Sequence, residues 1–380
     1  MTSRKTRRRL AWSVPVVTGA VILGGALLPS TATADAHPKL PARTPAQLLA
    51  AVQGSDVQHL SGTIVETARL GIPSLPGSDN AAALTWQTLA VGTHTARVWF
   101  DGRDSQRLAL LGQLTESDIV HSGRDVWTYA SDTQRVGHQV LDPRKPEPSP
   151  HPATKDLRTY TPEGAADSAL KAIDPSTVVT VDRTARVAGR AAYTLVLTPR
   201  DNRSTVRKVS IAVDATKNVP LRVQVYGAGA DPAFEIGFTD VSFDKPAASV
   251  FRFTPPKGST VSSDLWPAAT PRRHFAKPPP GTQPPMQVQP WAPAKPVAPK
   301  TIGTGWTSVI ALAAPTSGGS ALVGIAGPNS ELLGRLSQRQ PNGDQLIRTA
   351  LLNVLITTDG RAYAGAVTPA LLKQVAGQHG

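Results

Sequence analysis

The sequence predicts an α+β protein that consists mainly of antiparallel β-sheet. Apolar and polar residues alternate through 94–141 and again through 191–227, which is the period of strands with one buried face. Asp101-Gly102 separates two alternating runs, as in a β-hairpin. Three Thr-Pro pairs each precede a short apolar stripe, which is typical of helix starts. These pairs are Thr44-Pro45, Thr161-Pro162 and Thr368-Pro369.

The N-terminus has the three parts of a secretory signal peptide. A basic segment precedes the apolar run 11–28, and Ala32-Thr33-Ala34 matches a cleavage site, which predicts a signal peptide over 1–34. An uncleaved membrane anchor is the alternative, and a loose twin-arginine match in 6–11 leaves the export route open. The chain has no cysteine, so neither a disulfide nor a cysteine-linked lipid anchor is expected.

The chain is strongly basic, with a formal net charge of +13. Five basic residues stand in the first ten positions, and the rest of the chain has 35 basic and 27 acidic residues, a net charge of +8. This charge favours an anionic envelope surface as a partner. Nucleic acid is not expected, because basic and aromatic residues are not interleaved. Arginine outnumbers lysine, which favours a GC-rich, actinobacterial source.

Successive elements are predicted from pattern. A helix over 44–55 and a strand over 60–68 precede a four- or five-strand meander over 94–141. A proline-rich loop over 143–152 leads to a second helix over 161–173. Three strands then follow within 191–227.

The next stretch is rich in phenylalanine. Phe234, Ile236 and Phe238 alternate, and the phase then slips, which predicts a β-bulge near Thr239. Phe251 and Phe253 flank one arginine and are predicted to lie on a final strand.

The C-terminal third changes character. Residues 259–300 are proline-rich and are predicted to form an extended linker. Residues 301–380 are predicted to form a small α/β module, with a hairpin about Asp359-Gly360 and a final helix that begins after Thr368.

Motifs for catalysis are absent from the sequence. It contains no G-x-S-x-G, no H-E-x-x-H and no phosphate-binding loop, and "GTGWTS" lacks the third glycine of a dinucleotide-binding motif. His94, His121 and His138 are interpreted as solvated or edge residues rather than metal ligands, because no acidic residue stands at ligand spacing. We therefore predict a protein that is not an enzyme and has no cofactor and no metal.

An ordered set of motifs resembles the LolA/RseB superfamily of extracytoplasmic lipid and lipoprotein binders. The set includes "GRAAYTLVLTP", "DATKNVPLRV" and "FRFTPPKGSTV", and it extends over about 40–260. The resemblance implies a half-open β-barrel covered by helices, with a hydrophobic cavity for acyl chains. It places a lipid-binding domain at 38–258. RseB-like members add a smaller C-terminal domain, whereas carrier members have one domain.

This resemblance implies an exported protein that holds acyl chains of a lipid or acylated lipoprotein. Its role would be either RseB-like regulation, with a membrane-anchored anti-sigma factor or a transporter as partner, or lipid carriage. The alternative is a structural or interaction protein of the cell envelope without a lipid ligand. Aromatic strand residues either pack as core or line the cavity. The candidates for the cavity are Trp99, Trp127, Tyr129, Tyr193, Phe234, Phe238 and Phe251.

Overall fold

A computed structural model describes residues 37–72, 89–112, 114–142, 156–263, 265, 299–312, 334 and 336–378. Residues His37–Gly380 form one compact unit. The predicted signal peptide and most of the predicted linker lie outside the described residues, so the predicted domain boundaries stay predictions. No helix within the described ranges is long and apolar enough to cross a bilayer.

Three α-helices are described, and each begins directly after one of the predicted threonines. They are α1 (Pro45–Gln53), α2 (Pro162–Lys171) and α3 (Pro369–Gln378). Thr44 and Gln47 form a capping box, in which each side chain accepts a hydrogen bond from the backbone N–H of the other. The Thr161 hydroxyl oxygen accepts from the backbone N–H of Glu163. The prediction of Thr-Pro helix starts is confirmed.

Twelve described strands form one large sheet. Along the chain they are β1 (His59–Arg69), β2 (Val91–Asp101), β3 (Ser105–Leu111), β4 (Glu116–Ser122), β5 (Asp125–Ala130), β6 (Arg135–Val140), β7 (Thr177–Val187), β8 (Arg190–Pro199), β9 (Lys208–Asp214), β10 (Pro220–Tyr226), β11 (Phe234–Ser242) and β12 (Thr260–Ser262). Their order across the sheet is β12-β6-β5-β4-β3-β2-β1-β11-β10-β9-β8-β7. Neighbours are antiparallel except β12 and β6, and the edge strands β12 and β7 are not paired with each other, so this described sheet is open.

The meander β2–β6 matches its prediction. Gly102 has a φ of 73° in the β2–β3 turn, a conformation that glycine adopts without strain. The predicted bulge is also confirmed, because Thr63 pairs with Asp240 while Ile64 pairs with Phe238, which leaves Thr239 without a partner in the register. Strand β7 has no counterpart in the sequence prediction. Its alternation is interrupted where the β7–β8 register shifts between Asp182 and Ala185.

The predicted strand at Phe251–Phe253 is wrong. Ala248–Phe251 is a 3₁₀ helix, and residues 252–257 are irregular. Pro246, Pro255 and Pro256 lack the N–H groups that a strand needs for pairing. The segment instead lies against β3 and β4.

A second, smaller sheet contains six described strands from the C-terminal region. They are β13 (Lys300–Ile302), β14 (Val309–Leu312), β15 (Gln338–Arg339), β16 (Gln345–Arg348), β17 (Asn353–Ile356) and β18 (Ala362–Gly365). Their order is β13-β14-β18-β17-β16-β15, which confirms the hairpin about Asp359-Gly360 between β17 and β18. Helix α3 packs on this sheet through Leu371, Leu372 and Val375.

The two sheets contact each other directly. Ser204, in the β8–β9 connection, forms an isolated β-bridge with Val367. The backbone N–H of Thr205 donates to the Ala366 carbonyl at 2.9 Å, and that of Ala350 donates to the Leu70 carbonyl at 2.9 Å. The smaller sheet is therefore fastened by backbone hydrogen bonds to loops of the larger one.

Candidate functional site

A cavity of about 460 Å³ lies between α2 and the large sheet. Strands β1–β3 form one side of its wall and β9–β11 form the other. We call the face of the large sheet that lines this cavity the inner face. Its aliphatic wall residues include Ile64, Leu108, Leu110, Val209, Val223 and Ile236. The volume lies in the usual range of small-molecule sites, about 300–1,000 Å³.

Small residues of α2 form the roof of the cavity. Gly164, Ala165 and Ala169 line it, and Ala172 follows at the end of the helix. Ala165 and Ala169 are four positions apart and therefore share one helix face. Larger side chains at these positions would fill the space against the sheet, so the composition of α2 leaves the cavity open.

The C-terminal region contributes one aromatic residue to the wall. The indole of Trp306 lines the cavity, and its Nε1–H donates to Thr177 Oγ1 at 2.8 Å. Gly305 before it has a φ of 57°, and a Cβ at this position would collide with the Asp174 carboxylate. A glycine is therefore required for the loop of the smaller sheet to approach the larger one here.

Asp174 is held in place by the start of β7. Its Oδ1 accepts hydrogen bonds from the backbone N–H of Ser176 at 2.8 Å and from the Ser176 hydroxyl at 2.5 Å. The Ser176 hydroxyl is the main reason that the pKa of Asp174 is lowered. The carboxylate thus shapes the turn beside Trp306.

One ionisable pair interrupts the apolar wall. Glu66 of β1 and His94 of β2 both line the cavity, with His94 Nδ1 and Glu66 Oε2 2.9 Å apart. Only 8% of the Glu66 side chain is exposed. Burial raises the pKa of Glu66, and the hydrogen bond and charge of His94 offset part of this rise. The second oxygen, Oε1, is buried and has no hydrogen-bond partner among the described residues.

Glu66 and the small residues of α2 are parts of the site that were not predicted from the sequence. A signal for Glu66 was present in β1, because Leu60, Ile64 and Glu66 have the same parity in the strand. Leu60 and Ile64 are buried in the core. A carboxylate at a core-facing position is uncommon and typical of a functional or specially paired group.

Three of the predicted cavity residues lie on the opposite, outer face of the sheet. His94 and Ala96 face the cavity from β2, so Trp99 points away from it. Trp127 and Tyr129 alternate with the buried Val126 and Thr128 of β5. These three side chains point outward because adjacent residues of a strand face opposite sides of the sheet.

The outer face is itself covered by aromatic residues. The rings of Trp127 and His138 stack with centroids 3.8 Å apart, and Phe253 lies 5.5 Å from Trp127 and 6.1 Å from Tyr129. His138 is also paired with Asp125, at 2.7 Å between Nε2 and Oδ1. Apolar residues occur on both faces of the meander because both faces are covered.

The remaining four candidates are divided between the cavity, the core and the outer cover. Phe234 lines the cavity. Phe238 and Tyr193 are buried in the main core, and the Tyr193 hydroxyl donates to the Pro41 carbonyl at 2.8 Å. Phe251 is buried in the 3₁₀ helix on the outer face. Of the seven candidates, the structure therefore brings Phe234 to the wall of this cavity.

The architecture consists of an open antiparallel sheet with a helix over its inner face, followed by a second, smaller sheet. This arrangement agrees with the fold that the sequence resemblance to the LolA/RseB superfamily implies. A chain of the Pseudomonas aeruginosa MucA/MucB complex is similar, with 14% identity and a TM-score of 0.42, over 87% of this chain and 96% of that one.

Two further solved structures are similar over somewhat more than half of the chain. A LolA superfamily protein of Nitrosomonas europaea has 11% identity and a TM-score of 0.23, over 56% of this chain and 99% of its own. An uncharacterized conserved protein of Thermus thermophilus has 12% identity and a TM-score of 0.31, over 57% of this chain and 97% of its own. No protein-family model and no curated protein sequence matches the chain.

Proposed function

We propose that the chain is an exported, non-enzymatic binding protein that holds acyl chains of a lipid or lipoprotein in the cavity. The observation that carries the proposal is an apolar space of about 460 Å³ that the small residues of α2 leave open. Clefts of this size with mainly apolar walls are typical of small-molecule binding sites. An acyl chain in this cavity would make dispersion contacts with the aliphatic side chains of the wall.

The binding energy would come from burial of hydrocarbon. Each buried CH₂ group contributes about 0.8 kcal/mol. An acyl chain against Ile64, Leu108 and Val223 would therefore bind without a charged contact. This is the physical basis for a lipid rather than a polar metabolite as the ligand.

Of the two roles, the RseB-like regulatory one is favoured over lipid carriage. Trp306 belongs to the C-terminal region yet forms part of the cavity wall, so an occupant would contact both parts of the chain. A membrane-anchored anti-sigma factor is the proposed partner of this regulator, as the sequence resemblance to RseB-like proteins implies. A transporter would be the partner of a carrier.

The test of acyl binding uses the full chain in its exported form. Organic extraction followed by mass spectrometry should recover a stoichiometric lipid or acylated peptide. A neutral fluorescent probe, N-phenyl-1-naphthylamine, should also bind the delipidated protein.

Two matched variants locate the binding site. Ala165→Leu fills the space below α2 and should weaken probe binding about tenfold, since overpacking an occupied site costs about 1–3 kcal/mol. Ala50→Leu, at an exposed position of α1, should leave probe binding unchanged. An empty extract together with a protein that does not bind the probe would favour the structural or interaction protein without a lipid ligand.

A further inference from the structure

The polar pair in the cavity wall defines one oxygen that needs a hydrogen-bond donor. Glu66 Oε2 is occupied by His94 Nδ1, whereas Oε1 is buried and has no partner among the described residues. A buried carboxyl oxygen without a partner loses its hydration and gains nothing in return. Glu66 lines the cavity, and because Oε1 itself is buried, an occupant would bond to it once the carboxyl group turns toward the cavity.

The position of the proton in the Glu66–His94 hydrogen bond does not change this requirement. If His94 carries the proton, Glu66 is a carboxylate and Oε1 is an acceptor. If Oε2 carries the proton and donates to His94, Oε1 is a carbonyl oxygen and again an acceptor. In both of these states Oε1 accepts a hydrogen bond. A Glu66 protonated on Oε1, with His94 Nδ1–H donating to Oε2, would donate instead, and the alcohol and the ether of the experiment below would then bind alike.

We infer that the cavity selects amphiphiles whose polar end carries an O–H or N–H donor, which bonds to Glu66 Oε1 while the hydrocarbon lies below α2. Hydroxyl, amide and ammonium groups meet this requirement. An ether or ester end has only acceptors, and a carboxylate end adds a charge of the same sign as ionised Glu66. This inference rests on the proposed function and deepens it by naming the chemistry of the ligand's polar end.

The experiment compares ligands of one chain length on the delipidated full chain. N-phenyl-1-naphthylamine is displaced by 1-dodecanol, dodecylamine, dodecyl methyl ether or dodecanoate. The alcohol and its methyl ether share the hydrocarbon and the oxygen and differ in the O–H donor. We expect the alcohol and the amine to bind about tenfold or more tightly than the ether, as a hydrogen bond to a buried acidic group allows.

Substitutions assign this selectivity to one residue. Glu66→Leu should reduce the alcohol-to-ether affinity ratio to near one. Glu66→Gln retains an acceptor oxygen and should retain that ratio while it lowers the affinity for the amine. The control is Glu235→Leu, which makes the same change on the neighbouring strand β11 but on the outer face, since Phe234 and Ile236 face the cavity. This control should retain the full ratio.

Two results would overturn the inference and leave the proposed function standing. One is equal affinity of the wild-type protein for the alcohol and the ether. The other is an undiminished ratio in folded Glu66→Leu. Failure of the probe and of every ligand to bind the wild-type protein would instead refute the proposed function itself. The wild-type comparison decides the inference even if Glu66→Leu does not fold.

Discussion

At the scale of single residues, Asp214 and Glu66 are two buried carboxyl groups whose hydrogen bonding differs. Asp214, at the end of β9, is 1% exposed and accepts hydrogen bonds from Arg190 and from the backbone N–H groups of Thr216 and Lys217. Burial alone would raise the pKa of Asp214, but these hydrogen bonds outweigh burial and lower it. Glu66 differs, because one of its oxygens has no such partner in the described structure.

Replacement of Asp214 should therefore destabilise the fold in a pH-dependent way. Asp214→Asn leaves Arg190 without its counter-charge and should lower the free energy of unfolding by about 2 kcal/mol at pH 7. Because the folded-state pKa lies below the ordinary value of 3.8, the contribution is complete above pH 3.8 and is lost as the pH falls through the folded-state pKa.

Urea denaturation at pH 7 and at pH 3 measures this effect. The difference between wild type and Asp214→Asn should be smaller at pH 3. The exposed Asp240 provides a control, and Asp240→Asn should change stability by less than about 0.5 kcal/mol. A difference of equal size at both pH values would contradict the account.

At the scale of elements, α2 determines whether a cavity exists. Its first turn is anchored by Thr161, whose hydroxyl donates to the Arg158 carbonyl at 2.7 Å and accepts from the Glu163 N–H. Its later residues are small where they face the sheet. An element with weak side-chain packing depends more than usual on its cap, because few apolar contacts hold it in place.

The cap of α2 can be tested at Thr161, which also lines the cavity. Thr161→Ala should lower stability by about 1 kcal/mol and increase hydrogen exchange of the α2 amides. Thr161→Ser keeps the hydroxyl and should restore most of the loss. If the serine variant were as unstable as the alanine variant, packing of the threonine methyl group would be the cause instead of the cap.

At the scale of the whole molecule, Trp306 connects the C-terminal region to the cavity of the large sheet. It reaches the cavity wall from the connection between β13 and β14 and donates a hydrogen bond to Thr177, the first residue of β7. Ligand binding should therefore alter the surroundings of this tryptophan. The outer-face Trp127, stacked on His138, should be insensitive to an occupant.

Fluorescence can separate these two tryptophans. 1-Dodecanol should change the tryptophan emission of the wild-type protein, and Trp306→Phe should remove most of this change. Trp127→Phe serves as the matched control and should keep it. Loss of the signal in Trp127→Phe, with the signal intact in Trp306→Phe, would show that the C-terminal region does not sense the cavity.

Local features of the fold could be predicted because their causes are local. A threonine before a proline caps a helix through hydrogen bonds within one turn, as Thr44 does. Asp-Gly selects a hairpin turn, and a slip in alternation reveals the bulge at Thr239. The strand predicted at Phe251–Phe253 failed because alternating phenylalanines also suit an irregular segment that covers a sheet. Strand β7 was missed because a shift in register interrupts its pattern.

The sequence by itself determined the helix starts, the hairpins, the antiparallel pattern and the resemblance to the LolA/RseB superfamily. Tertiary structure alone decided which face of the sheet holds the cavity. Alternation shows that two faces exist, but the position of α2 on one and of the Phe251–Phe253 segment on the other distinguishes them. Likewise, Glu66 and His94 are 28 positions apart and meet only because β1 and β2 pair in one register. Such a contact depends on the packing of distant elements, which no local pattern encodes.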